Sequence, residues 1–210
     1  MGVPRFVVCD TVGFQNVFAP PQHGGTEVFM VYMFLASGFE EVEALCPLDL
    51  LRRAGVEVCT VGIGGAEITG SHGITVLADM TDTAFAALDD PAPDMIILPG
   101  GMPGSLNLDA SPTVDAAIKA TVKSNGYLTA ICAAPLILGR RGLLKGLRAT
   151  CYPGFEDELV GALEIGGRVI RDGRVITATG MGVALEFGLE LISVLKDPET
   201  AGKIREAVRA

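Results

Sequence analysis

The sequence has no tryptophan, only two histidines, and no two cysteines at CxxC spacing. Its five cysteines, Cys9, Cys46, Cys59, Cys132 and Cys151, are odd in number and widely scattered, which argues against a disulfide framework and a structural zinc site. Basic charge is scarce as well. Sixteen Lys plus Arg against 25 Asp plus Glu give a formal net charge of -9, the wrong sign for nucleic-acid backbones or an anionic lipid surface. The longest apolar run, residues 28–36, falls far short of the ~20 residues of a membrane-spanning helix. No secretory pattern is readable at the N-terminus, so the expected location is the cytoplasm. Neither Gly62-Ile63-Gly64-Gly65 nor Gly180-Met181-Gly182 completes GxGxxG, and GxxxxGK[ST] is absent, so dinucleotide and ATP cradles are unsupported.

What is present is 210 residues, 49% of them hydrophobic, enough for one domain with a sizeable core. Residues 1–29, with Pro20-Pro21 and Gly24-Gly25, lack periodicity and read as a flexible leader or a misassigned start. The folded domain is expected over 30–210, with Met30 at the change. From there, short apolar runs alternate with amphipathic segments, the pattern of a mainly parallel sheet covered by helices on both faces. Strands are predicted at 31–36, 56–63, 74–78, 94–98 and 127–131, and a hairpin at 169–178 turning on Asp172-Gly173. Helices are predicted at 41–54, kinked by Pro47, from Ser111-Pro112 to Lys123, and at 133–138, 183–196 and 199–208.

The chemistry concentrates at three strand ends. An apolar strand runs into Cys132, flanked by the small residues Ala130 and Ala134, as a nucleophile on a sharp strand-to-helix turn requires. A helix N-terminus there would favour thiolate, whereas most cysteines are inert small hydrophobes. The Pro99-Gly100-Gly101 turn ends a second buried strand and could offer backbone N–H groups to an oxyanion. Glu40, Glu41 and Glu43 open the helix after the first strand. Glu43, a turn beyond Phe39-Glu40, can point inward, where it would either, if protonated, donate a hydrogen bond to a Cys132 thiolate or abstract the proton of the thiol. A Cys-His dyad would have to use His72, since His23 lies in the leader.

Six blocks in order, ASGFEEVEALCPLDLLRRAG, EITGSHGITV, IILPGGMPG, AICAAP, ATCYPGFEDEL and ATGMGVALEFGLELI, resemble the ThiJ/PfpI superfamily, in the branch of the parkinsonism-associated protein deglycase and its bacterial relatives. The resemblance implies a flavodoxin-like α/β three-layer sandwich, a homodimer, and a reactive, oxidation-sensitive cysteine at Cys132. It implies a thiol-bonding glutamate at Glu43, oxyanion or sulfinate donors at Gly101 and Ala133, and a His72 that reaches toward a partner subunit's site. The implied activity is cofactor-independent and metal-free. It is either conversion of methylglyoxal-type α-oxoaldehydes or early glycation adducts to hydroxy acids, or, alternatively, a redox-responsive chaperone or sensor role without significant turnover. A peptidase reading is weaker, because Tyr152 stands where some relatives carry a histidine, and tyrosine is a poor base at neutral pH.

Overall fold

Val31–Leu35 (β1) is five apolar residues without a polar interruption, and all five are buried. Such a run suits a strand covered on both faces. Val31, Met33 and Leu35 enter one core, while Tyr32 and Phe34 enter the other. The computed structural model describes residues 29–89 and 91–210. After β1 come α1 (Glu41–Arg53), β2 (Val58–Gly62), a small hairpin of β3 (Glu67–Thr69) and β4 (Thr75–Leu77), β5 (Met80–Thr81) and α2 (Asp82–Ala86). The chain continues through β6 (Met95–Leu98), α3 (Gly104–Asp109), α4 (Pro112–Lys123), β7 (Tyr127–Ile131) and α5 (Pro135–Arg140). It ends with β8 (Arg148–Ala149), β9 (Glu164–Ile165), β10 (Val169–Asp172), β11 (Val175–Ala178), α6 (Ala184–Leu195) and α7 (Pro198–Ala207).

The central sheet has seven strands in the order β10-β11-β7-β6-β1-β2-β5. All its pairings are parallel except β10 with β11. From β1 the chain first steps one way, to β2 and β5, then returns to the other side of β1 for β6, β7 and β11. The carboxyl ends of β1 and β6 therefore flank a topological switch point, where open α/β sheets leave a crevice. Helices α1 and α6 pack on one face, and α3, α4 and α5 contribute to the core on the other, giving a flavodoxin-like three-layer sandwich.

Local chemistry explains the helix that matters most. Glu40 caps α1 by accepting the Glu43 N–H at 2.7 Å. The helix ends in a Schellman motif: Gly55, at φ 71°, donates to the Arg52 carbonyl and Val56 donates to that of Leu51. Pro47 lies inside the unbroken helix. There α1 meets α6 so closely that a Cβ on Gly188 would stand 3.0 Å from Pro47 Cα. Leu51, Leu191 and Ile192 are fully buried in this layer, each contributing about 1.5–3 kcal/mol relative to exposure.

Four expectations are corrected. The strand predicted at 74–78 belongs to the separate hairpin with β3, not to the sheet. The loop after Gly101 continues into an unforeseen helix, α3. The β10–β11 turn is centred on Gly173-Arg174, since Asp172 pairs with Val175. The helix expected from residue 133 begins at Pro135, because Cys132 to Ala134 form a turn.

Candidate active site

Parallel neighbours end at the same edge, so β1, β6, β7 and β11 deliver their following residues to one place. The turn after β7 brings Cys132, whose φ of 65° lies in the left-handed region that non-glycine residues rarely occupy. Its conformation is held from both sides. Its N–H donates to the Ala178 carbonyl at 2.9 Å, and its own carbonyl accepts the Tyr152 N–H at 2.8 Å. Such strain marks sites where surrounding structure fixes a side chain for use.

Glu43 approaches from α1 and is completely buried. Its Oε2 accepts the Gly100 N–H at 3.1 Å. Gly100 cannot carry a side chain, because a Cβ there would lie 2.5 Å from both Cys132 Cβ and Glu43 Oε2. Oε1 is buried and makes no hydrogen bond of ordinary length, although the Cys132 thiol and the Met181 backbone N–H both act on the carboxyl. The N–H groups of Ala133 and Gly101 face the sulfur. Cys132, Glu43, Gly101 and Ala133 are thus brought together.

The electrostatics follow from this crowding. Burial, reinforced by the nearby Glu40 charge, pushes the Glu43 carboxyl up to about 7, against the opposing thiol and backbone hydrogen bonds. Burial and then the Glu43 anion push the Cys132 thiol up to about 12, against the Ala133 and Gly101 N–H groups. While Glu43 is ionised, burial and then its charge oppose thiolate at Cys132, and the N-terminus of α5, only six residues long, does not offset them. The two groups titrate as a pair that keeps one proton between its two steps. Geometry favours Glu43 Oε1 as that proton's seat. Oε1 makes no hydrogen bond of ordinary length and sits in a fully buried carboxyl, whereas the half-buried sulfur is faced by two N–H groups that stabilise thiolate.

His72 lies elsewhere. It sits at the tip of the β3–β4 hairpin, largely exposed, with Nδ1 2.9 Å from Glu41 Oε2. Glu41, buried at the start of α1, also accepts the N–H groups of His72 and Ile74 and the Ser71 hydroxyl. Burial would raise the Glu41 carboxyl, but these donors outweigh it and hold it at about 2. The hydrogen bond to Glu41, and then its charge, raise the His72 imidazole. The groups acting on Cys132 include no histidine. Among the described residues, Glu40, Glu41 and His72 are a grouping whose ligand atoms lie within 4.8 Å of one another and could hold a metal ion, but Glu41 is already occupied by four donors.

Sequence reading missed three contributors: Gly100, which anchors Glu43, and the Gly180-Met181 turn after β11. The PGG motif contained Gly100, but only the β6–α1 contact distinguishes it from Gly101. Cys46 and Cys59 are half-buried and Cys151 is buried. Cys9 and His23 lie outside the described residues.

Fold and site together define an open α/β protein with a strained cysteine at a strand-to-helix turn, paired to a buried glutamate at the switch-point edge. The chain belongs to the DJ-1/PfpI family, whose model matches residues 30–194. It is 33% identical over 176 residues to the Parkinson disease protein 7 homolog of Danio rerio, covering 82% of this chain and 93% of that protein. It is 32% identical over 167 residues to the glutathione-independent glyoxalase DJR-1.2 of Caenorhabditis elegans, covering 79% and 87% respectively. The structure of oxidized Toxoplasma gondii DJ-1 superposes with a TM-score of 0.79 at 35% identity, covering 85% of this chain and 96% of that one.

Proposed function

We propose that the protein is a cofactor-independent, cysteine-dependent glyoxalase or deglycase that converts methylglyoxal-type α-oxoaldehydes, or early glycation adducts, to hydroxy acids. The observation that carries this reading is the packing of the strained Cys132, at φ 65°, against the fully buried Glu43, so close that a Cβ on Gly100 would stand 2.5 Å from both; burial there pushes the carboxyl up to about 7. An acid-base group is most effective when its pKa lies near the working pH. The name of the nematode relative, a glutathione-independent glyoxalase, supports the same activity.

In the proposed sequence the Cys132 thiolate attacks the aldehyde carbon, forming the C–S bond, and Glu43 gives its proton to the resulting alkoxide. The product is a hemithioacetal. The Glu43 carboxylate then removes the hydrogen from that carbon, and the electron pair moves through an enediol whose oxygen the Gly101 and Ala133 N–H groups stabilise. Return of the proton to the second carbon leaves a thioester of the hydroxy acid. Water cleaves it, regenerating the thiol. One carbon is oxidised and its neighbour reduced, so no external oxidant or reductant enters. The same two N–H groups are suited to hold a sulfinate, which supports a second reading in which Cys132 is an oxidation sensor.

The test is lactate formation from methylglyoxal without glutathione, comparing wild type with Cys132→Ser and Glu43→Gln. Wild type should form lactate, with both variants lower by about 100-fold or more. A wild type no faster than either variant refutes the activity.

A further inference from the structure

Tyr152 stands beside the reactive pair without entering it. Its side chain is half exposed, at 51%, yet its backbone is tied to the Cys132 carbonyl. The residue's backbone is therefore registered to the nucleophile. It lies over Gly180: a Cβ at that position would stand 3.3 Å from Tyr152 Cδ2, 3.8 Å from its Cε2 and 3.6 Å from Glu43 Oε1. One small volume is thus bordered by an aromatic ring, by glycine backbone and by the buried carboxyl oxygen that makes no ordinary hydrogen bond. The next residue, Met181, whose N–H acts on Glu43, is also exposed, at 54%.

This arrangement sets an apolar wall against the acid-base group. In the proposed reaction Glu43 serves both carbons of the substrate, so whatever the second carbon carries begins next to Oε1. Tyr152 borders that same space. A methyl group or hydrogen leaves the ring largely uncovered, whereas a flat apolar group can lie against it in an offset or edge-on contact. We propose that Tyr152 is a specificity-determining residue that selects α-oxoaldehydes bearing an aryl group on the ketone carbon over glyoxal and short alkyl homologues. The inference rests on the glyoxalase reading and names its substrate class.

Two neutral ketols test the wall without turnover, because neither contains an aldehyde: hydroxyacetone and α-hydroxyacetophenone. Each is titrated by calorimetry into wild type, Tyr152→Phe and Tyr152→Ala, with circular dichroism melting to establish that each variant is folded. Wild type and Y152F should bind the aryl ketol about threefold to tenfold more tightly than hydroxyacetone, and Y152A should lose at least about threefold of that preference. An aryl preference that survives intact in Y152A, or is absent from wild type, overturns the proposal. Lactate formation from methylglyoxal is read on the same wild-type sample. A wild type that makes no lactate but keeps a Tyr152-dependent preference removes the glyoxalase reading and leaves the wall; lactate without the preference does the reverse.

Discussion

Replacing Glu43 by glutamine tests the shared proton without any substrate. In the unfolded chain the carboxyl ionises at its ordinary value of 4.5, whereas in the folded protein burial holds its proton to about 7. Between those two values the native state binds one proton more than the unfolded state, so stability falls as pH rises. The sign is the same whether the native pair keeps its remaining proton on oxygen or on sulfur, since only the number released is counted. Glu43 is fully buried, and the shift corresponds to about 3 kcal/mol. That contribution is complete below about pH 4.5 and gone above about pH 7. Other carboxyls act in the opposite direction: Glu41, Asp109, Asp115 and Glu158 are all lowered in the fold and add stability as pH rises. They are common to wild type and E43Q, so the difference between the two proteins isolates the Glu43 contribution. Urea unfolding followed by far-ultraviolet circular dichroism from about pH 5 to about pH 8 should show wild type losing about 2–3 kcal/mol relative to E43Q. Parallel curves would refute the raised carboxyl and the shared proton with it.

Other outcomes follow from the same geometry. Gly100→Ala should reduce lactate formation at least as severely as Glu43→Gln and lower stability by about 1–3 kcal/mol, because the new methyl group overlaps both Cys132 and Glu43; an active, fully stable variant would contradict the close packing. Glu41→Gln should destabilise the fold by about 1–3 kcal/mol in urea unfolding at neutral pH, since the amide keeps one acceptor oxygen, turns an NH2 toward donors and loses the charge that the four donors bind. Its effect should shrink as pH falls through about 2, where Glu41 protonates, and alkylation of Cys132 by iodoacetamide should be unchanged. Light scattering should give twice the 21.9 kDa chain mass if the proposed homodimer forms, and the chain mass alone would remove it.

The architecture was largely legible because its elements are strongly patterned. The VYMFL run is long, uninterrupted and β-prone, and Ser111-Pro112 and Gly55 punctuate helices through caps that depend on only a few residues. The six blocks of resemblance carry the family in the sequence itself. Errors arose where a local signal had more than one tertiary outcome. The apolar residues of 74–78 suit either a sheet strand or a hairpin, and pairing with Glu67–Thr69 decided between them. Gly and Pro in PGGMPG mark a turn but do not reveal that a short helix begins at Gly104.

The sequence by itself determined an alternating α/β chain with a cysteine after an apolar strand, a glutamate in the first turn of a helix and glycines after a neighbouring strand. Each is written in a stretch of a few residues, where periodicity and capping chemistry act. Only the tertiary structure decided that Glu43 turns inward to Cys132 while Glu41, two residues away, turns to His72. That choice depends on Gly100, 57 residues from Glu43 in sequence, donating its N–H to one carboxylate, and on a hairpin tip donating to the other. The protonation of the pair was decided there too, because burial and the spacing of two acidic groups are properties of the packed sheet edge rather than of any local segment.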